Sequence, residues 1–138
     1  MKKTFVRLIA LAVITAFACM TLASCGALLG PATDPDKAEK ALEKNDYEVN
    51  VADSNTELAM FEIMGVKDLE CVLTAYNEDD DEDAIVIFYF KDKEAAEEGF
   101  EALEDYAEKA GEDVDDFVFK KSGKIVYMGT KKAVKASR

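Results

Sequence analysis

Ala84-Ile85-Val86-Ile87-Phe88-Tyr89-Phe90 is apolar at every position. Successive side chains of a strand point to opposite faces, so this run needs cover on both sides of whatever sheet it joins. Residues 47–51 (Tyr-Glu-Val-Asn-Val) behave differently. They alternate apolar and polar, the pattern of a strand with one face on the core and one toward solvent. The fold therefore has to supply a cover for the second face of residues 85–90. The chain's own first helix is the simplest cover. The sheet face of a second copy, or an apolar ligand held in a groove, would serve equally well chemically.

Outward from this run, residues 70–76 are also strand-like, and the intervening Asn-Glu-Asp-Asp-Asp-Glu-Asp is too polar to be buried, so the pair reads as a hairpin. Ser54 and Glu57 have the spacing of a capping box, Leu58, Phe61 and Met64 can share one helical face, and Gly65 suits the position after a helix C-terminus. A helix over residues 35–44 opens on Pro35 with Thr33 or Asp34 as cap and carries Ala38, Ala41 and Leu42 on one face. The longest helix spans residues 93–110, with a stripe of Ala96, Phe100, Leu103, Ala107 and Ala110 before Gly111. Residues 117–119 and 125–128 flank Lys-Lys-Ser-Gly-Lys as a second hairpin, followed by a basic tail with room for a helical turn or two.

The fold class expected from this order is α+β. Without the first helix and last strand, the elements run β-α-β-β-α-β, the order of the ferredoxin-like split β-α-β motif: an antiparallel sheet of about five strands with helices on one face, plus an N-terminal helix. The same elements also assemble as two helix-strand-strand units, residues 54–90 and 93–130, in one meandering sheet with helices on one side. Residues 34–138 form one domain in either case, as the length of 138 residues implies.

The chain has no histidine. That removes Ser-His-Asp and Cys-His catalysis, the common zinc ligand sets and the usual physiological-pH switch. The formal net charge is −12, and it becomes −15 without the segment that holds Lys2, Lys3 and Arg7. Such a surface repels nucleic acid phosphates and anionic lipid headgroups alike, so nucleic acid is not an expected partner. Of three cysteines, Cys19 lies in the apolar leader, Cys25 at its end and Cys71 in a strand, where it reads as a small buried residue and not half of a disulfide.

Three charge clusters invite functional readings. The run Glu78 to Asp83 is rich enough in carboxylates for calcium, but counting Asp79 as the first position of an EF-hand-like loop puts Ala84 and Phe90 where Gly and Glu belong. A solvated, self-repelling hairpin loop is the better expectation. Glu112-Asp113-Val114-Asp115-Asp116 follows the long helix and reads as a solubilising loop. Lys120, Lys121, Lys124, Lys131, Lys132, Lys135 and Arg138 make the C-terminal segment basic, either as internal charge balance or as a contact for membrane or wall polyanions.

Residues 1–24 have the layout of an export signal: Lys2, Lys3 and Arg7, an apolar run over residues 8–20, then small residues. The apolar run falls short of the roughly 20 residues that a spanning helix needs. Leu22-Ala23-Ser24-Cys25 resembles the lipobox of bacterial lipoproteins. The resemblance implies that Cys25 is alkylated with diacylglycerol, becomes the first residue after cleavage, and carries at least two acyl chains such as palmitate, enough for stable anchoring. It also implies a location at the outer face of the cell membrane. Gly26 in place of Asp points, by family analogy, to the outer membrane where a second membrane exists. Residues 25–33 then form the lipidated cysteine and a short uncharged tether, whose eight residues from Gly26 to Thr33 reach at most roughly 28 Å.

The expected function is a membrane-anchored extracytoplasmic lipoprotein whose small acidic domain is a non-enzymatic binding or interaction module. The alternative is a structural envelope protein or accessory subunit that dimerises through the apolar sheet face. A carboxylate-dependent hydrolase is third, because glycosidase chemistry needs no histidine. The expected partners are the membrane through lipid on Cys25 and a protein, a second copy or an apolar ligand. No cofactor, metal ligand or catalytic residue is assigned.

Overall fold

The structure, a computed structural model, describes residues 30–80, 82–109 and 116–138, and the side chains of 106–109 are not among those described. The expected leader with Leu22-Ala23-Ser24-Cys25, the stripe position Ala110 and the side chain of Ala107, and residues 112–115 of the second acidic cluster lie outside this set.

The elements in chain order are α1 (Pro35–Lys44), β1 (Tyr47–Ala52), α2 (Asn55–Ile63), β2 (Leu69–Asn77), β3 (Ala84–Phe90), α3 (Lys93–Lys109), β4 (Phe117–Ser122), β5 (Ile125–Thr130) and α4 (Lys131–Ala136). The five strands form one sheet in the order β1-β2-β3-β5-β4, antiparallel at every pairing. The fold is α+β, as the element order implies.

Local chemistry starts each helix. The Asp34 side chain accepts from the Asp36 N–H and Pro35 opens α1. Ser54 and Glu57 form a reciprocal capping box at α2, which satisfies two N–H groups that the helix leaves without partners. The same contact holds the Glu57 carboxyl below its ordinary pKa, chiefly through the hydrogen bond from Ser54. Asp92 accepts from the Ala95 N–H ahead of α3, and Thr130 accepts from the Ala133 N–H at α4. Gly65 follows α2 at φ 87°, in the left-handed region where a glycine costs least.

The strand order corrects the ferredoxin-like expectation. In a doubly split arrangement each helix would join two parallel strands with a third strand between them. Around α2 this fails, because β1 and β2 are direct antiparallel neighbours. Around α3 it holds, because β5 lies between β3 and β4 and pairs antiparallel with both. The α2-β2-β3 and α3-β4-β5 units meet through their last strands, closer to the pair of helix-strand-strand units than to the full split motif. A simple meander is also absent, because β5 and not β4 lies beside β3.

A second correction concerns the helices, which cover both faces. Val86, Phe88 and Phe90 project to the first face, where Leu58 and Phe61 of α2 and Ala95, Ala96 and Leu103 of α3 close over them. Phe61 meets Phe88 edge-on with ring centroids 5.6 Å apart, and Phe100 stacks on Phe119 at 4.5 Å. Ile85, Ile87 and Tyr89 project to the second face, under Ala38 and Leu42 of α1 and Ala133 and Val134 of α4. All seven β3 residues are buried. At about 1.5–3 kcal/mol per fully buried large apolar side chain, this strand supplies a large part of the driving force for folding. The first helix provides the expected cover, and the C-terminal helix completes it. The second face of β3 is therefore occupied by the chain itself, so this sheet face is not open to a second copy or an apolar ligand.

Residues 30–33, the end of the expected tether, contribute to that cover. Pro31 is buried, the Ala32 N–H donates to the Ser137 carbonyl at 3.0 Å, and the Tyr89 hydroxyl donates to the Ala32 carbonyl at 3.0 Å. By their uncharged composition residues 30–33 read as a linker. They are a short arm docked on the second face.

Where β5 crosses β3, Gly129 leaves no room for a side chain: a Cβ there would lie 2.5 Å from the Ala84 carbonyl oxygen and 2.8 Å from the Ile85 Cα. Both neighbours are backbone and cannot swing away. Gly129→Ala is expected to destabilise the domain by about 1–3 kcal/mol despite the better strand propensity of alanine. Denaturant unfolding of the purified variant measures it.

Candidate functional site

Two features stand out among the described residues: a buried carboxylate at one end of the sheet and an uncovered stripe on α2. The carboxylate is Asp83, the last residue before β3. It is 5% exposed, and its side-chain bonds cross large sequence distances. Tyr47, the first residue of β1, donates its hydroxyl to Oδ2 at 2.6 Å. Thr130, the cap of α4, donates its hydroxyl to Oδ1. Lys132 places Nζ 3.1 Å from Oδ2. Asp83 N–H and C=O also close the β2-β3 hairpin, donating to the Asp80 carbonyl and accepting from the Asn77 N–H.

A buried charge is tolerable only when it is paired and hydrogen-bonded, and Asp83 satisfies both conditions. Its two oxygens are engaged by three donors, which leaves a poor ligand for a cation and a poor general base. In the sequence Asp83 reads as one member of the solvated Glu78 to Asp83 loop. Glu78, Asp79, Asp80 and Glu82 are exposed as expected, but Asp83 turns inward and pins three elements together. Among the described residues no three His, Cys, Asp or Glu side chains gather as a metal site.

Cys71 is buried on the second face as a free thiol, and burial pushes its pKa up to about 11. A thiol so far above neutral is a weak nucleophile. The hydroxyls of Tyr89 and Tyr127 are raised above the usual phenol range, also mainly by burial.

The second feature is α2, which is apolar on both sides. Leu58 and Phe61 face the core, with Met64 partly buried beside them. Thr56, Ala59, Met60 and Ile63 recur at i, i+3, i+4 and i+7 and all are exposed. Met60 is 59% and Ile63 88% exposed, the two large hydrophobic side chains left in solvent among the described residues. Glu57 and Glu62 border the stripe, and α2 has no cation. In the sequence the inward stripe hides this one, although the extra Met60 and Ile63 are the available signal.

Beside α2, Asn55, Leu58, Glu62, Asp68, Leu69 and Lys91 line a cleft of about 220 Å³. This is below the roughly 300–1,000 Å³ of typical small-molecule sites, and three of its lining residues are charged. It does not resemble the apolar groove that the sequence allows for.

The Asp83 pin has a pH signature. Burial first, and then the hydrogen bond and charge of Asp83, raise the Tyr47 hydroxyl above its ordinary value near 10. The unfolded chain then loses this proton before the folded one. The stabilisation is complete below about pH 10 and falls as pH rises beyond it. Tyr47→Phe is expected to cost about 1–3 kcal/mol at neutral pH, because Asp83 loses a donor, and to make the decline above pH 10 shallower. Stability measured against pH for both proteins checks the sign and the size. Comparison with protein-family models, curated proteins and solved structures finds no match for this chain.

Proposed function

We propose that this chain is a membrane-anchored extracytoplasmic lipoprotein whose domain is a non-enzymatic interaction module, with the outward stripe of α2 as its contact surface. The anchor rests on Leu22-Ala23-Ser24-Cys25 behind a leader of the right layout. The contact surface rests on a single observation, the exposure of Met60 and Ile63 on a helix whose other side is already in the core. A helix apolar on two opposite sides, like one apolar all round, ordinarily has both of them covered.

The occupant that fits is a protein segment carrying an apolar side chain and at least one Lys or Arg. Met60 and Ile63 offer apolar area, and Glu57 and Glu62 on either border favour a cation and disfavour an acidic partner. A non-enzymatic role is supported by the engagement of Asp83 and by the absence of histidine. Dimerisation through the sheet loses its support, since α1, α4 and residues 30–33 already occupy that face.

Two substitutions test the halves of this reading separately. Cys25→Ser is expected to leave uncleaved precursor and to abolish incorporation of a fatty-acid analogue in cells; continued labelling would contradict the anchor. A photo-crosslinker at position 60 is expected to give a discrete adduct that Ile63→Glu removes while shifting stability by less than about 0.5 kcal/mol, as exposed sites allow. An adduct that survives Ile63→Glu would contradict the contact surface.

A further inference from the structure

The helices divide by charge as well as by face. On the first face, α2 carries Glu57 and Glu62 with no cation, and residues 93–105 of α3 carry six carboxylates against Lys93. On the second face, α1 balances Asp36, Glu39 and Glu43 with Lys37, Lys40 and Lys44, and α4 carries Lys131, Lys132 and Lys135 with no carboxylate. Arg138 follows α4. The net formal charges are −7 for the first-face helices and +3 for the second-face helices. Within a strongly acidic chain, the helices of the second face thus carry no net negative charge of their own.

The tether leaves from that face. Gly30 lies against the Tyr127 ring, which belongs to the second-face core, and Pro31 and Ala32 are docked as described. From Cys25 to Gly30 the chain reaches at most roughly 18 Å, about two-thirds of what an undocked tether would span. The first-face helices lie farther away by the sheet and a helix layer about 10 Å thick.

We propose that the anchored domain rests with its α1-α4 face against anionic lipid headgroups, turning the acidic α2-α3 face outward. The inference rests on the anchoring reading above and adds an orientation and a lipid class to it. Two independent observations agree on the direction: the short reach from Cys25 to the docked arm, and the segregation of charge between the faces. Of the α4 lysines, Lys135 is best placed to contribute, since it is exposed and stands clear of the Asp83 and Asp116 pairs that hold Lys132 and Lys131. The orientation also leaves Met60 and Ile63 on the side accessible to a protein partner.

The test uses the full lipidated chain in vesicles of phosphatidylglycerol or of phosphatidylcholine. A fluorophore is placed through Glu43→Cys on α1 or Glu101→Cys on α3, two exposed positions whose replacement changes charge equally. Buried Cys71 does not compete for the label. With a quencher on the lipid headgroup, position 43 is expected to be quenched several-fold more than position 101 on phosphatidylglycerol. The contrast should shrink on the order of 1 M salt, where the Debye length is about 3 Å. Lys135→Glu together with Arg138→Glu should also shrink it, with the unfolding midpoint showing whether the fold persists. Equal quenching at both positions on floating vesicles would overturn the orientation alone. A contrast that ignores lipid charge, salt and the paired substitution would overturn the role of the basic face. A chain that does not float with vesicles of either kind would overturn the anchor and the orientation together.

Discussion

Strand β3 is apolar on both faces and sits in the middle of the sheet, so neither face can be left to water. Its two neighbouring strands and all four described helices answer that requirement. β2 and β5 satisfy its backbone, α2 and α3 cover Val86, Phe88 and Phe90, and α1 and α4 cover Ile85, Ile87 and Tyr89. The second layer is built by recruiting segments from before β1 and after β5. That explains why residues 30–33, uncharged and rich in small residues, pack down in place of spanning open solvent. The hydrophobic effect supplies the drive but gives no direction. Direction comes from the polar contacts at the rim.

Asp83 supplies much of that direction. It joins the start of β1, the hairpin into β3 and the junction of β5 with α4, through bonds that span 36 and 47 residues of sequence. A buried carboxylate held by three donors contributes little net energy against an apolar replacement, yet losing any one donor is costly. It therefore penalises any register that separates its partners. The outer surfaces follow from the same two-layer plan. Once the faces are distinct, their charges can differ, and they do: carboxylates crowd the first-face helices while the charges of α4 are all basic.

Much of the local structure is legible in the sequence because it is decided locally. Asp34, Ser54 and Glu57 cap where their spacing says they cap, the alternation of residues 47–51 becomes an edge strand, and the unbroken apolar run of residues 84–90 becomes the buried centre. The first helix is recognisable as a cover for the second face. Strand order is not legible, because β4 and β5 are both apolar enough to pair with β3. Gly129 permits the close approach of β5, and a lone glycine in a strand does not announce its neighbour. Asp83 is hidden for a related reason. Composition assigns it to an acidic loop, and only partners distant in sequence distinguish it from Asp80. The outward stripe of α2 is masked by the inward one, since a short helix with apolar residues on both sides gives no sharp periodic signal.

Whether β3 is sealed on both faces by the chain's own layers can be read from native-state hydrogen exchange along the sheet. A sealed strand requires that the β3 amides exchange only through global unfolding, with the same free energy as denaturant unfolding, while β1 at the edge opens locally at lower cost. Exchange of the β3 amides through a local opening as easy as that of β1 would contradict the seal, and would mean that the second layer is not a permanent cover.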